Sequence, residues 1–339
     1  MRIGLVSTMR TAVPPPRTGS VELLVGLLAR EMTRRGHEVT VFAPGDSQVE
    51  ARVVSLLPTG YHHDLTIWDW QLAEFMQLGL VYAHAAEFDV IHSHVYCYAL
   101  PFTRLVRTPT VHSFHICPTP DFVRFCAMFR DQEFVLISEF QRQFFGDLPI
   151  ADVVPNGIDT AAFPFQPRTG RYLAFIGDFH PDKGPVEAIR LARSAGVPIR
   201  LAGPDTEYFR TAVAPELDGD AEYVGEVDHE GKVELLSDAL GLVFLPLGLE
   251  ACPLVLLESM ACGTPVLGLR RGPVPELCPE GTASVLGDTP AELARSVAGL
   301  ERLDRGQIRR HTVERYDAAR MADGYERIYR RTVAHADSV

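Results

Sequence analysis

Residues Phe244–Leu269 read FLPLGLEACPLVLLESMACGTPVLGL, in which a strand, a loop, a helix and a second strand follow one another. Apolar runs predict the strands at Leu242–Leu245 and Pro265–Leu269, and the helix at Val255–Cys262. Two strands joined through a helix form a βαβ unit, which requires parallel strands and a right-handed crossover. This unit therefore predicts an α/β fold built on a parallel sheet.

The same alternation of strands and helices extends over the rest of the chain. Further strands are predicted at Arg2–Ser7, Glu38–Ala43, Asp89–His94, Thr110–His115, Glu133–Ser138, Val153–Pro155, Tyr172–Ile176, Ile199–Ala202 and Ala221–Val224. Further helices are predicted at Val21–Arg35, Pro185–Ala195, Gly231–Ala239 and Ala318–Ala334, with another starting near Glu139. We expect two doubly wound, Rossmann-like parallel sheets.

A proline-containing linker at Phe163–Thr169 separates the two alternations. It predicts an N-terminal domain at 1–166, a second domain at 167–317, and a C-terminal helix at 318–339 that crosses back to the first domain. Ligands of doubly wound sheets bind outside the carboxyl ends of the strands, so we expect the site in the cleft between the two domains.

Composition excludes several classes of protein. The net charge of −12 over 339 residues argues against non-specific binding of nucleic acid and against docking on anionic lipid. No apolar run reaches transmembrane length, so we expect no stable membrane insertion. Met1–Val6 leads straight into a strand and the six cysteines show no metal-ligand spacing, so we expect a cytoplasmic protein with reduced thiols and no bound metal.

Two glutamates in the opening stretch can hold one ligand. Glu250 lies in the loop, and Glu258 lies about one turn into the helix. A carboxylate accepts two hydrogen bonds from a vicinal diol such as that of a ribose or a hexose. The start of the helix offers free N–H groups to an anion.

The whole stretch resembles the retaining glycosyltransferases of family 4, which have the GT-B fold. Their hallmark reads Glu-Gly-Phe-Gly-Leu-x-x-x-Glu-Ala-Met-Ala-x-Gly-x-Pro-Val, and the residues in register here are Glu250, Leu254, Glu258, Met260, Ala261, Gly263, Pro265 and Val266. The resemblance implies that Glu258 binds the ribose hydroxyls of a nucleotide and that Glu250 contacts the donor sugar. It also places Leu254 and Val255, at the start of the helix, in the donor site.

A second motif, Ile176–Gly184, lies between a strand and a helix. Gly177 allows close backbone approach, and Lys183 can place a charge on a phosphate. The family has Gly-Arg-Leu/Phe-x-x-x-Lys-Gly here, so Asp178 stands where the arginine is expected. A carboxylate repels a diphosphate. Either Asp178 turns away or a neighbouring cation compensates, for which Arg270 and Arg271 are the candidates.

Two features of the first half are similar to the family. Gly19 and Ser20 precede a helix where relatives carry Gly-Gly-x-Glu, and their N–H groups are candidates for binding the donor phosphate. The alternative is an ordinary helix start with Ser20 as the N-cap. The resemblance also implies that His112 hydrogen-bonds the transferred sugar and steadies developing charge, with His115 as a second candidate.

The sugar end of the site departs from the family. Ala251, Cys252 and Pro253 replace the Gly-Phe-Gly that gives backbone N–H groups to the sugar, and Pro253 has no N–H to donate. Arg271 opens a stretch, Arg271–Glu276, that is similar to a donor-pocket motif of the family. The identity of the donor sugar therefore cannot be copied from a typical member.

Together, these residues predict a retaining hexosyltransferase. It would move a sugar from a UDP- or GDP-linked donor, its co-substrate, to a hydroxyl of a small soluble acceptor, without a metal or another cofactor. A homodimer is left open. The alternative is a nucleotide-sugar-binding protein without transfer activity, which Asp178 and the replaced loop favour. A dehydrogenase is set aside because no Gly-x-Gly-x-x-Gly follows the first strand.

Overall fold

The computed structural model describes residues 1–17, 19–64 and 66–336. The chain forms two compact units, of which one contains Met1–Gly157 and the C-terminal helix, and the other contains Ile158–Asp317. The boundary predicted after residue 166 lies inside the second unit. Residues 337–339, the end of the predicted segment 318–339, lie outside the described residues.

The first unit contains a seven-stranded sheet in which all neighbouring strands are parallel. In chain order its strands are β1 (Arg2–Val6), β2 (Glu38–Phe42), β3 (Arg52–Val54), β4 (Val90–Ser93), β5 (Thr110–Phe114), β6 (Glu133–Leu136) and β7 (Ile150–Val153). Their order across the sheet is β3-β2-β1-β4-β5-β6-β7. All residues of β4 and β5 are buried, as expected for strands covered on both faces.

The described residues of this unit form six helices. They are α1 (Ser20–Arg34), α2 (Trp70–Ala83), α3 (Leu100–Thr103), α4 (Pro120–Cys126), α5 (Glu139–Arg142) and, at the C-terminal end, α12 (Ala318–Ala336). Short 3₁₀ turns lie at Ala85–Glu87 and Ala127–Phe129. Helix α12 packs against α1 and β4, so the end of the chain completes the first unit.

The second unit contains a six-stranded sheet, which is also parallel throughout. Its strands are β8 (Leu173–Ile176), β9 (Ile199–Ala202), β10 (Ala221–Gly225), β11 (Gly241–Phe244), β12 (Val266–Leu269) and β13 (Ser284–Gly287), in the order β10-β9-β8-β11-β12-β13. Its helices are α6 (Pro185–Ala195), α7 (His229–Ser237), α8 (Leu254–Ala261), α9 (Val274–Leu277), α10 (Pro290–Ser296) and α11 (Arg305–Tyr316). One π turn and four 3₁₀ turns lie at Phe209–Val213, Thr160–Ala162, Pro181–Lys183, Ala214–Glu216 and Val297–Arg302.

Each sheet reverses its strand order at one point. In the first, the chain leaves β1 towards β2 and β3, then returns to place β4 on the other side of β1. In the second, the same reversal separates β8 from β11. Loops that leave two such strands diverge at their carboxyl ends and open a crevice, where ligands of these folds bind.

The two doubly wound parallel sheets predicted from the sequence are confirmed. The structure adds β3 and β13, which are short strands that the sequence did not reveal. It also adds helices that the sequence analysis did not assign, namely α2, α3, α4, α9, α10 and α11. Helix α2 is long but has a mixed surface, and no helix within residues 1–17, 19–64 and 66–336 combines the length and hydrophobicity needed to cross a membrane.

Candidate functional site

Two loops of the second unit meet where β8 and β11 diverge. The carbonyl of Asp182, in the loop after β8, accepts hydrogen bonds from the N–H groups of Leu247 (2.7 Å) and Gly248 (3.3 Å), in the loop after β11. Gly184 has a left-handed φ of 68°, and a Cβ there would lie 2.6 Å from the carbonyl oxygen of Leu245. Only glycine fits this position, so the two loops hold each other in place.

The contact between these loops includes an ion pair. The Lys183 ammonium donates a short hydrogen bond to Glu250 Oε1. Both side chains remain partly exposed, so the pair contributes little to stability. The arrangement instead places one cation and one carboxylate side by side at the edge of the sheet.

A pocket of about 240 Å³ opens beside Glu250. It is lined by Pro246, Leu247, Gly248, Leu249, Glu250, Arg271, Gly272 and Pro273. The Arg271 side chain is exposed, and its guanidinium has no hydrogen-bond or ion-pair partner among the described residues. Arg270, by contrast, is paired with Glu280 (2.5 Å) and Asp288 (3.5 Å). Arg270 and Arg271 were the candidates to replace the arginine that the family has at position 178. Only Arg271 has a guanidinium that is not already paired within the described residues.

Glu258 occupies a more enclosed position. It is the fifth residue of α8 and is buried. Its Oε1 accepts a hydrogen bond from Lys232 Nζ at 2.6 Å, and this ammonium also lies 6.0 Å from the centre of the Phe163 ring. The sequence did not assign Lys232 to the site. Its only signal there was rarity, because Lys183 and Lys232 are the only lysines in the chain.

The loop before α8 has the unusual residues that the sequence indicated. Pro253 is the N-cap residue, with an extended backbone and without a side-chain hydrogen bond to the helix. Leu254 and Val255 form the first half-buried positions of the helix, and Cys252, two positions before the helix, is buried. Since the first N–H groups of a helix have no partner within it, this end can still accept an anion.

Gly177 and Asp178 leave β8 at the other side of the crevice. A Cβ at Gly177 would contact nothing within 4 Å, so space for a ligand exists beside its backbone. The Asp178 side chain is exposed and forms no ion pair within the described part of the chain. Among the described residues, no cation therefore offsets the charge of Asp178 by direct contact.

The first unit holds the other predicted residues. Gly19 precedes α1 with a φ of 154°, and a Cβ there would lie 2.8 Å from Glu22 Oε2 and 2.9 Å from Pro15 Cβ. Glycine is therefore required by packing at this position. Ser20 is the exposed first residue of α1, and the N-cap is Gly19, so the reading of Ser20 as an ordinary N-cap is wrong.

His112 lies in the middle of β5 and has no exposed surface. Its ring packs 6.2 Å from that of Phe134, on the face that also carries Phe114. Neither ring nitrogen has a hydrogen-bond partner of good geometry among the described residues, and burial lowers the pKa of His112 to about 3, with a small opposing effect of Gln132. Because His112 is enclosed, its expected contact with a sugar stays a prediction, and His115 is the more accessible of the two histidines.

His115 is better placed, because it follows the carboxyl end of β5. Its Nε2 lies 2.9 Å from His94 Nδ1, and the two rings are stacked. Its Nδ1 has no partner within the described residues. Burial lowers the pKa of His115 to about 4, so the imidazole is neutral near pH 7, and its unpartnered Nδ1 is buried.

A polar network lies behind His115. His92 contacts the Tyr329 hydroxyl (2.6 Å) through Nδ1 and Ser113 Oγ (2.7 Å) through Nε2, and its ring centre is 3.9 Å from that of His94. Burial, then the neighbouring histidines, lowers the pKa of both His92 and His94 well below the usual range. Tyr329 belongs to α12, so the C-terminal helix is part of this network.

Comparison with known families matches nearly the whole chain. The model of Glycosyltransferase Family 4 matches residues 21–162, and the model of Glycosyl transferases group 1 matches residues 160–318.

Individual proteins agree with these family matches. A phosphatidyl-myo-inositol mannosyltransferase from Mycolicibacterium smegmatis is 26% identical over 97% of this chain and 93% of its own length. The structure of AviGT4, a glycosyltransferase involved in avilamycin A biosynthesis, is 25% identical with a TM-score of 0.76, over 99% of this chain and 98% of that one. The structure of HepE from Anabaena in complex with UDP and glucose shares the fold at 16% identity, with a TM-score of 0.73 over 97% and 99% of the two chains.

Proposed function

The chain belongs to glycosyltransferase family 4, with the GT-B fold, and we propose that it moves a hexose from a UDP- or GDP-linked donor to a hydroxyl group of a small soluble acceptor, with retention of anomeric configuration. Glu258 binds the ribose of the nucleotide, Lys183 binds the diphosphate, and Glu250 contacts the sugar. His115 is a more accessible candidate than His112 for the histidine that contacts the sugar.

One observation carries this proposal. The loops after β8 and β11 are fixed to each other and bring the Lys183 ammonium against Glu250, beside a pocket that also contains Arg271. A cation, a carboxylate and a second cation at the point where strand order reverses suit a ligand that joins a diphosphate to a polyol.

The reaction exchanges one bond at the anomeric carbon for another. The bond from C1 of the sugar to the diphosphate oxygen breaks, and the acceptor oxygen forms a new bond to C1 while its proton passes to the departing nucleoside diphosphate or to water. The transition state carries positive charge on the sugar and growing negative charge on the diphosphate. Lys183 and Arg271 oppose the negative charge without a metal ion in this scheme, and Glu250 faces the sugar.

The acceptor is proposed to be a small soluble molecule because the chain has a net charge of −12, which disfavours an anionic membrane surface. The mannosyltransferase relative is named for a lipid acceptor, phosphatidyl-myo-inositol, so the two kinds of acceptor need a direct comparison.

The test is a thermal-shift screen against UDP, GDP and their hexose conjugates, followed by nucleotide release with a panel of acceptors. Binding to the folded state raises the midpoint of unfolding, and the rise grows with the logarithm of the ligand concentration once this exceeds Kd. Glu258→Ala should weaken binding of the preferred nucleotide by about 1–3 kcal/mol. Unchanged affinity of Glu258→Ala for both UDP and GDP would contradict the nucleotide site. Tight binding of the donor without release of nucleotide in the presence of any acceptor would favour the alternative, a binding protein without transfer activity. NMR of the product shows whether the anomeric configuration is retained. Activity measured in the presence of EDTA tests whether the transfer needs a metal ion.

A further inference from the structure

A row of aromatic side chains in the first unit has no role in the donor site. Ring centres are 6.0 Å apart for Tyr61 and Trp70, 6.5 Å for Trp70 and Tyr98, and 5.3 Å for Tyr98 and Tyr96. Tyr96 in turn lies 4.6 Å from the buried ring of Phe122, which anchors the row. We call Tyr61, Trp70, Tyr96 and Tyr98 the aromatic wall. Trp70 and Tyr96 are more than a third exposed, so the wall faces solvent.

The aromatic wall stands where the strand order of the first sheet reverses. Tyr96 and Tyr98 follow the carboxyl end of β4. The N–H of Tyr61 donates to the carbonyl of Met9 (3.0 Å), in the loop that leaves β1, and a Cβ at Gly60 would lie 2.4 Å from the carbonyl oxygen of Arg10. Both ends of the wall are therefore fixed to the two loops that form the ligand crevice of a doubly wound sheet.

The backbone at Tyr96 supports a role in binding. Its φ of 44° is the only left-handed value for a residue other than glycine in residues 1–17, 19–64 and 66–336. An aromatic residue pays a conformational penalty there, and such strain is concentrated at ligand sites. With this backbone conformation, the Tyr96 ring packs against Tyr98 in the wall.

Polar atoms without partners lie at the Tyr61 end. Glu74 and Gln77, one turn apart on α2, are buried, and each reaches the loop after β1: Oε1 of Glu74 accepts the Met9 N–H (2.9 Å), and Nε2 of Gln77 donates to the Ser7 carbonyl (2.7 Å). Oε2 of Glu74 and Oε1 of Gln77 have no hydrogen-bond partner within the described residues. Burial raises the pKa of Glu74 to about 7, against the lowering effect of the Met9 N–H and the Tyr61 hydroxyl. Both oxygens are buried and do not themselves meet a ligand; the polar group at this end of the wall is the Tyr61 hydroxyl, which hydrogen-bonds Glu74.

We propose that the aromatic wall binds the acceptor as a hydroxylated six-membered ring, a pyranose or a cyclitol, with its C–H face on Trp70, Tyr98 and Tyr96 and its hydroxyl edge towards Tyr61 and the loop after β1. This inference rests on the proposed transfer to a hydroxyl group. A rigid aromatic surface with hydroxyls at its rim matches a ring that is apolar on its face and polar at its edge.

A lipid surface fits the wall less well. Residues 61–83 contain Asp64, Asp69 and Glu74 but neither lysine nor arginine. Helices that lie on membranes combine their aromatic residues with basic ones that meet anionic headgroups. The acidic segment therefore favours a neutral polyol over a membrane.

The chain supplies its own reporter for a test. Its two tryptophans are Trp68 and Trp70, and Trp68 is 92% exposed and makes no ring contact within the described residues. In the Trp68→Phe variant, all tryptophan emission comes from Trp70. We expect this emission to change and saturate with at least one of methyl α-mannopyranoside, methyl β-glucopyranoside and myo-inositol, in the presence or absence of saturating UDP or GDP.

Substitutions on the Trp68→Phe background identify the surface. Tyr96→Ala should weaken the binding of the responding compound by about tenfold, the size of one aromatic contact. Met128→Ala, which removes an exposed apolar side chain outside the wall, should leave it unchanged. Equal affinities of the two variants would overturn the inference.

The outcomes separate this inference from the proposed function, because the same proteins are tested for UDP and GDP binding by thermal shift. If a nucleotide binds but no ring compound changes the Trp70 emission, the aromatic wall is not the acceptor site, and the donor site stands. If a ring compound binds but neither nucleotide does, the wall is upheld and the proposed donor fails. A response to phosphatidylglycerol vesicles in place of the ring compounds overturns the inference in favour of a membrane surface.

Discussion

Lys232 Nζ lies 2.6 Å from Glu258 Oε1, so the carboxylate that we expect to bind a ribose is held by a cation before any nucleotide arrives. Lys183 makes the equivalent contact with Glu250. The chain has no other lysine, and thus each glutamate of the motif is paired with one of the two lysines. The two pairs differ in exposure: Glu258 is nearly enclosed, whereas Glu250 opens on the pocket.

Replacing Lys232 by methionine should weaken UDP or GDP binding by about tenfold, because Glu258 loses the charged hydrogen bond that fixes its carboxylate. The free energy of unfolding should also fall by about 1–3 kcal/mol, since a buried carboxylate is left without its partner. Calorimetric titration measures the first effect and chemical denaturation the second. Lys232→Arg should retain most of both, and Glu234→Ala, at an exposed position of α7, should change neither. Wild-type affinity in Lys232→Met would show that Glu258 does not need this lysine.

Glu250→Gln should abolish transfer while leaving UDP or GDP affinity unchanged or higher. The amide keeps the shape of the side chain but releases Lys183 from its ion pair, so the ammonium becomes free for the diphosphate. Turnover and calorimetric titration on the same variant separate the two effects.

Lys183→Ala is the matched variant for this comparison. It should weaken the binding of UDP or GDP but not of the corresponding nucleoside, because only the diphosphate contacts the ammonium. An equal loss for the nucleotide and the nucleoside would place Lys183 outside the phosphate site.

The sheets could be predicted from the sequence because parallel strands are buried on both faces and therefore appear as short apolar runs. Strand β4 shows this, since all four of its residues are buried. Strand β3 could not be found in this way, because it is an edge strand of three residues without a buried position. Helix α2 was missed because exposed apolar residues such as Leu72 and Met76 obscure the helical pattern.

Within the candidate site, the sequence located the motif residues but not their partners. Lys232 and Glu258 are 26 positions apart, and only the packing of α7 beside α8 brings them together. His112 lies inside β5, which is buried on both faces, whereas His115 follows the carboxyl end of that strand, and the local sequence does not show where the strand ends.

Asp178→Arg should tighten the binding of UDP or GDP, by about tenfold at low salt, and the gain should shrink as salt is added. The carboxylate is exposed and has no ion pair in the described part of the chain, so nothing is broken when it is replaced, while a repulsive charge near the diphosphate becomes attractive. Asp220→Arg, at an exposed position of the same unit, makes the same change in net charge and should have no effect. If Asp178→Arg instead abolishes transfer in a folded protein, Asp178 has a role of its own in the reaction.

The buried histidines should make stability fall in acid. Burial lowers the pKa of His112 to about 3 and of His115 to about 4, from an ordinary value of 6.5. Between pH 6.5 and these values the unfolded chain binds more protons than the folded one, so the stability that is present above pH 6.5 is lost as the pH falls through this window. Urea denaturation at pH 7.5, 6 and 5 measures the slope, which should be smaller in His112→Leu because that variant removes one such group while keeping its site apolar. The exposed His62→Leu serves as the control and should keep the wild-type slope. A slope in His112→Leu equal to that of the wild-type protein would mean that His112 is not enclosed in its neutral form.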